Sequence, residues 1–294
     1  GALRLSLEKI PDSDFDRLQE IRLRVNRPLS VFSGEFSGAV NGAGHIGYAN
    51  GGGAAAVTVN DLKFTFESIC QFSVHSFKRE IASGFVTVAG GHRAGFCGTA
   101  VTAGLSEIET VKNISGINFR IARQIKGAAD ELFTRIYAHS PKTPSVLICG
   151  SPGSGKTTLL RDLARQLGNR IKTSVIDERG EISAVWSGIP GNDPGAFTDI
   201  FDGYPKTVGI ETAVRVMSPQ VIICDEIGGV GDIEAINYAK NSGCAVVAAI
   251  HADSAFAVAA KGITADMFDF TVFLNGADKP ATVKEIIGTE AITI

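Results

Sequence analysis

One segment of the sequence has the residue types and the spacing that suit phosphate binding. It reads Gly150-Ser151-Pro152-Gly153-Ser154-Gly155-Lys156-Thr157-Thr158 and contains the Walker A pattern G-x-x-x-x-G-K-[ST], with an apolar run before it and a helical pattern after it. Glycines let successive backbone N–H groups turn toward a phosphate, and a helix start adds partial positive charge. The pattern predicts that this segment binds a nucleotide, with Lys156 on the β- and γ-phosphates and the Thr157 hydroxyl on Mg²⁺.

Two carboxylates follow a second apolar run, as in a Walker B strand. Val221–Cys224 is continuously apolar and is followed by Asp225 and Glu226. This order predicts Asp225 in the Mg²⁺ shell and Glu226 as the residue that orients a water molecule. A water-directed glutamate favours hydrolysis, because a kinase has to keep water away from the phosphate. Solvated acids at a strand end are the structural alternative.

A second acidic pair, Asp177 and Glu178, ends a less apolar strand and is a secondary candidate for the same task. His251 directly follows the apolar run Ala245–Ile250. Carboxyl ends of parallel strands share one edge of a sheet, so His251 is expected near the γ-phosphate. The five cysteines show neither a CxxC pair nor Cys/His ligand spacing, which argues against a disulfide framework and against zinc.

The elements that must position these residues alternate between strand and helix. Strands are predicted at Val146–Cys149, Ser174–Asp177, Val221–Cys224, Ala245–Ile250, Phe270–Leu274 and Val283–Ile287. Helices are predicted at 156–167, 207–217 and 232–242. This alternation predicts an α/β domain with a parallel sheet covered by helices on both faces.

The N-terminal half has a different pattern. Residues 1–138 are predicted to form an α+β domain, 139–144 a proline-containing linker and 145–294 the α/β domain. The predicted strands lie near 21–25, 29–32, 85–88 and 96–101, and the predicted helices near 12–19, 61–82 and 126–138. Eight of the 34 glycines fall between Gly34 and Gly53, which predicts flexible hairpin loops or mobile coil there.

Composition restricts the class of protein. The chain has 294 residues, 44% of them hydrophobic and 20% charged, which argues against disorder and coiled coil. The net charge of −3 gives no strong sign of nucleic-acid binding. Apolar stretches are shorter than the roughly 18 residues that a membrane helix needs, and no signal peptide is recognisable. A cytoplasmic protein is therefore expected.

Several segments together resemble the stage III sporulation protein AA family, which is related to the type II and type IV secretion ATPases. They are the phosphate loop, V221IICDEI227, I250HA252, D177ERGEI182, E20IRLRVNRPL29, G90GHRAGFCGTAV101 and N118FRIAR123. The resemblance implies a RecA-like P-loop ATPase core with a smaller α+β N-terminal domain. It implies ATP and Mg²⁺ as cofactors and a homo-oligomeric ring, expected to be a hexamer.

The resemblance also implies partners and further site residues. The implied partners are integral membrane proteins of a sporulation channel, approached from the mother-cell side, so that the cytoplasmic ATPase would be peripheral to the membrane. Glu178 corresponds to an acidic segment near metal and water, and His251 to the family's histidine segment. Arg93, Arg120 and Arg123 are the N-domain arginines that would reach nucleotide.

Three other functions remain open from the residues alone. A small-molecule or nucleoside kinase would share the phosphate loop. A nucleic-acid-dependent ATPase would need a local basic groove, for which Lys78, Arg79 and Arg93 are the candidates. A scaffold that binds ATP with little turnover is the non-enzymatic alternative.

Overall fold

The computed structural model describes residues 1–48, 53–54, 56–103, 107–138 and 140–288. The chain forms two compact units, residues 1–122 and 123–294. The boundary lies ahead of the predicted linker, and 140–144 therefore fall inside the second unit. The reason is the helix at Asp130–Ile136, whose Leu132 and Phe133 are buried in the core of that second unit.

The first unit is built on a seven-stranded antiparallel sheet in the order β4-β3-β2-β1-β7-β6-β5. Its elements are α1 (Ala2–Glu8), α2 (Asp12–Phe15), β1 (Glu20–Arg24), β2 (Ser30–Phe32), β3 (Ser37–Val40), β4 (Ile46–Gly47), α3 (Val59–Ile69), α4 (Lys78–Ser83), β5 (Phe85–Val88), β6 (His92–Ala103) and β7 (Glu107–Arg120). Short 3-10 turns lie at Val74–Phe77 and Ala89–Gly91. The apolar side of β1, β2 and β7 packs with α3 and α4 around Leu23, Val31 and Ile117. This unit is the α+β domain that the sequence predicts.

Two helix predictions in this unit are wrong in detail, and the glycine-rich window forms one of the predicted hairpins. The helix predicted near 61–82 is interrupted after Ile69, where Gln71 and Phe72 both take positive φ angles (50° and 58°) that an α-helix excludes. The helix predicted near 12–19 ends at Phe15. The glycine-rich window contains the paired strands β3 and β4, while its Gly51 and Gly52 lie outside the described residues.

The second unit contains a seven-stranded sheet in the order β12-β9-β13-β14-β8-β15-β16. Its elements are α5 (Asp130–Ile136), β8 (Val146–Cys149), α6 (Lys156–Gly168), β9 (Thr173–Asp177), β10 (Val185–Trp186), β11 (Ile189–Pro190), β12 (Thr198–Asp202), α7 (Lys206–Met217), β13 (Val221–Glu226), α8 (Val230–Asn241), β14 (Ala245–Ile250), α9 (Ala255–Ala259), β15 (Phe270–Leu274) and β16 (Val283–Gly288). The strands of the seven-stranded sheet run parallel except for the edge strand β16, which pairs antiparallel with β15, and β10 and β11 form a separate antiparallel pair. The predicted strands and helices of this half are confirmed.

Helices cover both faces of this sheet. On one face, α7 and α8 pack through Ile210 and Ile236. On the other face, α5 and α6 pack through Leu132 and Leu163. Because both faces are buried, the central strands β8, β13 and β14 are apolar at nearly every position, as expected for parallel strands. The arrangement brings the carboxyl ends of these strands to one edge, where the chemistry-bearing residues lie. Among the described residues, the helices are too short and too polar for any of them to cross a membrane.

Candidate nucleotide-binding site

The phosphate loop lies between β8 and α6, where an apolar strand turns into a helix. Gly153 and Gly155 take positive φ angles of 78° and 89°, which L residues with a Cβ rarely adopt. A Cβ at Gly155 would come within 2.3 Å of the backbone nitrogen of Ala281, which itself donates to the Ser154 carbonyl at 2.8 Å. The second glycine is therefore required both by the loop conformation and by the chain that packs against it.

Lys156 is the first residue of α6, and its side chain turns back into the phosphate loop. Its Nζ donates to the carbonyl oxygens of Gly150 (2.8 Å) and Ser151 (2.9 Å). The residue is only 8% exposed. Burial lowers the pKa of its ammonium, and the negative charge of Glu226 opposes that shift. The Lys156 ammonium thus lies inside the phosphate loop and donates to two of its carbonyls.

His251 connects this lysine to the acid at the end of β13. Its Nδ1 lies 2.9 Å from Lys156 Nζ, and its Nε2 lies 3.0 Å from Glu226 Oε2. A neutral imidazole that accepts at Nδ1 and donates from Nε2 satisfies both contacts. The structure therefore brings three of the residues predicted from the sequence into one continuous chain, Lys156–His251–Glu226.

Asp225 precedes Glu226 and is buried. Its Oδ1 lies 3.0 Å from Lys206 Nζ, yet neither carboxylate oxygen accepts a well-oriented hydrogen bond from the described residues. Burial raises the pKa of Asp225, and the Lys206 ammonium opposes the increase. A buried carboxylate with unused lone pairs, in the same cavity as Thr157, fits Mg²⁺, which binds proteins through one or two oxygen ligands and completes its shell with phosphate and water. No cluster of three or more His, Cys, Asp or Glu residues suited to a metal occurs in the part of the chain that the structure describes, and Mg²⁺ does not need one.

These groups share a cavity of about 450 Å³ at the carboxyl edge of the sheet. Its lining combines the phosphate loop with both strand-end acids and the histidine: Pro152, Gly153, Gly155, Lys156, Thr157, Thr158, Leu160, Arg179, Glu181, Asp225, Glu226, Ala249, His251 and Pro280. A larger cavity of about 600 Å³, lined by Phe133, Tyr137 and Arg170, lies at the opposite, amino ends of the strands. Ligands of open parallel sheets bind beyond the carboxyl ends, so the smaller cavity is the candidate site.

The secondary acidic pair does not reach this cavity. Glu178 lines an adjoining cavity of about 320 Å³ that shares Arg179 and Glu226 with the first, and its Oε2 is 3.5 Å from Lys206 Nζ. Asp177 is fully buried and accepts backbone hydrogen bonds from Glu181 and Ser183 at 2.8 and 2.7 Å. Asp177 therefore holds the following loop in place, and it is not among the residues that line this cavity.

Asp177→Asn is expected to destabilise the second unit by about 2–4 kcal/mol, because an amide NH₂ would face backbone donors where a carboxylate oxygen now accepts. Urea unfolding measures this change in the free energy of unfolding. Asp199→Asn is the matched control, since Asp199 is exposed on the neighbouring strand β12. Equal stability of the two variants would show that Asp177 does not organise the loop.

The three predicted arginines belong to different units. Arg93 on β6 and Arg120 on β7 are direct cross-strand partners in the first unit, and the Arg93 guanidinium lies 4.8 Å from the centroid of the Phe85 ring. Arg123 falls in the second unit, so its assignment to the N-domain is wrong. The reason is again the unit boundary, which follows Ala122.

Sequence reasoning did not select three charged residues of this region: Arg179, Glu181 and Lys206. The first two lie inside the acidic segment D177ERGEI182. Because this segment follows the end of a predicted strand, their closeness to Asp177 in the sequence could have indicated that they lie near the site. Lys206 begins α7 and had no such signal, because a lysine after Tyr204-Pro205 reads as an ordinary surface charge.

The parallel sheet, its two helical layers and the phosphate loop at its carboxyl edge define a P-loop nucleotide-binding fold of the RecA-like class. Comparison with known sequences makes the assignment more specific. The chain belongs to the family Sporulation stage III, protein AA, whose sequence profile matches residues 2–294. Over 256 residues it is 34% identical to stage III sporulation protein AA of Bacillus subtilis (strain 168), covering 85% of this chain and 78% of that protein.

Two solved structures share the fold. The Legionella pneumophila ATPase DotB superposes with a TM-score of 0.60 at 14% identity, covering 94% of this chain and 78% of the other. The pilus retraction motor PilT with bound ADP gives a TM-score of 0.58 at 14% identity, covering 87% and 74%. At this identity the likeness establishes the RecA-like fold predicted from the sequence and leaves the activity to the site itself.

Proposed function

We propose that this protein is a Mg²⁺-dependent ATPase, a motor of the secretion-ATPase type that acts on a membrane channel during sporulation. The observation that carries the proposal is the chain Lys156–His251–Glu226, which joins the phosphate-binding lysine to the water-directed acid inside one cavity. A nucleotide-binding fold used only as a scaffold would not need an acid coupled to its phosphate loop.

The phosphate loop binds the ATP phosphates through the backbone N–H groups of Gly150 to Thr158. When ATP binds, Lys156 Nζ leaves the carbonyl oxygens of Gly150 and Ser151 and contacts phosphate oxygens instead. The negative charge of the phosphate makes this interaction stronger. Thr157 and Asp225 would hold Mg²⁺, which when bound neutralises charge that develops on the β- and γ-phosphates. This exchange also changes what His251 Nδ1 contacts, so the imidazole is placed to report phosphate binding to Glu226.

Glu226 orients the attacking water toward the γ-phosphate and accepts a hydrogen bond from it. An arginine stabilises the negative charge of the transition state, because its planar fork matches phosphate oxygens. Arg93, Arg120 and Arg123 are the candidates, and Glu178 supports the site from the adjoining cavity through Lys206.

The proposal is tested by measuring phosphate released from ATP by the purified chain, with Mg²⁺ and with a chelator. Release that needs Mg²⁺ supports an ATPase. Phosphate that appears on an added acceptor instead of in solution would indicate a kinase, and bound ATP that persists would indicate a scaffold.

We further propose that the chain assembles as a homo-oligomeric ring, a hexamer, on the mother-cell side of the membrane, and docks there with integral membrane proteins. The family membership supports the sporulation role, and the fold shared with a pilus retraction motor supports a motor. Light scattering with and without ATP and Mg²⁺ tests the ring. A monomer under all conditions would contradict it.

Mixing two inactive variants tests whether an arginine acts on a neighbouring copy. Glu226→Gln keeps its arginines, and Arg120→Ala keeps its Glu226. In an equal mixture, half of the copies have an intact Glu226, and half of their neighbours have an intact arginine. About a quarter of the sites are therefore complete, and about a quarter of the wild-type rate is expected. Phosphate release measures the recovery. The same mixture made with Arg93→Ala or Arg123→Ala identifies the arginine, and no recovery in any mixture would exclude action between copies.

A further inference from the structure

Lys206 is a buried cation in a position that does not favour one. It is the first residue of α7, and its side chain is only 6% exposed. The first turn of a helix carries partial positive charge, which repels an ammonium, and burial removes the ammonium from water. Lysines in other ion pairs of this chain, such as Lys63 and Lys126, keep 71% and 62% of their side chains exposed. Specific contacts with oxygen atoms are therefore needed to keep the Lys206 ammonium buried.

Three oxygen atoms surround its ammonium. Asp225 Oδ1 lies at 3.0 Å and Glu178 Oε2 at 3.5 Å, and Lys206 Nζ also donates a hydrogen bond to the backbone carbonyl of Glu226. Burial lowers the pKa of Lys206, but Asp225 and the acidic groups near it together oppose this, and the net shift is upward. Lys206 is therefore a charged group whose contacts converge on the two acids at the end of β13.

At these two acids β13 keeps its pairing with β14, which resumes at Glu226, but its pairing with β9 has ended. The ladder between β13 and β9 ends at Cys224. On the other side, the register with β14 shifts between Ile223 and Glu226, so that one extra residue of β13 is accommodated in a bulge. A bulge changes the direction of the side chains that follow it and leaves backbone groups unpaired. The Glu226 carbonyl is such a group, and Lys206 is its hydrogen-bond donor.

We infer that Lys206 is a positioning residue for hydrolysis: it fixes the bulged end of β13 and thereby aims Asp225 at the metal and Glu226 at the water. It acts through these two residues and does not itself contact the nucleotide. The inference rests on the proposed ATPase function. Nothing in the sequence pattern of the phosphate loop or of the strand requires a lysine at this point, since it arrives from a different helix.

The test compares Lys206→Met with Lys240→Met. Lys240 on α8 is a matched control, because its ammonium likewise donates to backbone oxygen, here the carbonyls of Asp266 (2.8 Å) and Met267 (2.6 Å), which lie at no catalytic residue. Three quantities are measured in the full chain: ADP affinity in a chelator, Mn²⁺ affinity of the ADP complex by electron paramagnetic resonance, and the kcat and KM of ATP hydrolysis.

For Lys206→Met we expect ADP affinity in the chelator within about threefold of wild type, Mn²⁺ affinity weakened about tenfold, and kcat lowered about 100-fold with little change in KM. Lys240→Met should leave all three near wild type. Tighter Mn²⁺ binding by Lys206→Met would overturn the inference, because it would mean that Lys206 competes with the metal. A kcat equal to that of Lys240→Met would also overturn it.

Two further outcomes are distinguishable. If wild type itself releases no phosphate, the ATPase proposal fails, and the Mn²⁺ measurement alone judges the positioning of Asp225. If Lys206→Met does not fold, Lys206→Arg carries the test, since it keeps the charge but its larger fork cannot reach the same three atoms. That variant should bind ADP normally and turn over at least about tenfold more slowly, and wild-type turnover would contradict the inference.

Discussion

Glu226→Gln is expected to lower the kcat of ATP hydrolysis by about 10²–10⁴-fold while ATP still binds, because a positioned general base contributes a factor of this size. The amide keeps the shape of the side chain and can still contact His251 Nε2, now 3.0 Å from the carboxylate. It cannot accept a proton from water. Phosphate release and equilibrium binding of a fluorescent ATP analogue measure the two quantities separately.

Glu234→Gln is the matched control for this change. Glu234 lies exposed on α8, on the chain segment that follows the same strand. Its turnover should equal that of the wild type. Unchanged hydrolysis in Glu226→Gln would remove Glu226 from the mechanism and direct attention to Glu178 and Glu181, the other glutamates that line the two adjoining cavities.

Lys156→Ala is expected to weaken ATP binding about 10–100-fold and to abolish measurable turnover. A hydrogen bond to a charged group contributes about 1.5–3 kcal/mol, and each 1.4 kcal/mol is a factor of ten in affinity. The substitution also removes the hydrogen bonds that Lys156 donates to the carbonyls of Gly150 and Ser151. Isothermal titration with ATP and with ADP measures the loss, which should be larger for ATP because Lys156 is expected to bridge the β- and γ-phosphates.

Lys172→Ala removes an exposed lysine at the amino end of β9, away from the phosphate loop, and serves as the control. Its ATP affinity should remain that of the wild type. ATP binding by Lys156→Ala as tight as in this control would show that the cavity at the carboxyl edge is not the nucleotide site.

The second unit could be predicted well from the sequence because its central strands are buried on both faces. Such strands must be apolar at nearly every position, and β8, β13 and β14 are. Once the strands are known to be parallel, their carboxyl ends must share an edge. The juxtaposition of Lys156, Glu226 and His251 follows from that topology together with the phosphate-loop pattern.

The first unit is harder to predict from the sequence, because its sheet is formed by strands that are far apart along the chain. The fourteen-residue strand β7 (Glu107–Arg120) was not predicted, although it is the central partner of both β1 and β6. Its sequence contains several polar and charged residues, since one face of an antiparallel sheet can be solvated. The predicted boundary between the two units differs from the observed one for a related reason. The prolines at 141 and 144 are typical of a linker, but α5 packs into the core of the second unit and thereby places the preceding residues in that unit.

The roles of Lys206 and Asp177 could not be predicted from the sequence either. Each is a charged residue whose role depends on burial, and burial of a single charge leaves no periodic pattern in the sequence. Asp177 reads as one member of an acidic pair but is used to hold backbone N–H groups. Lys206 reads as a surface lysine but contacts the acids at the end of β13.

The most direct test of the account is to let the wild-type chain turn over ATP with Mg²⁺ in water enriched in heavy oxygen, and to analyse the phosphate by mass spectrometry. Hydrolysis at the Lys156–His251–Glu226 site predicts inorganic phosphate that carries one oxygen from the solvent, and no such product from Glu226→Gln on the same timescale. Phosphate without solvent oxygen, phosphate transferred to another molecule, or ATP that stays bound and intact would contradict it.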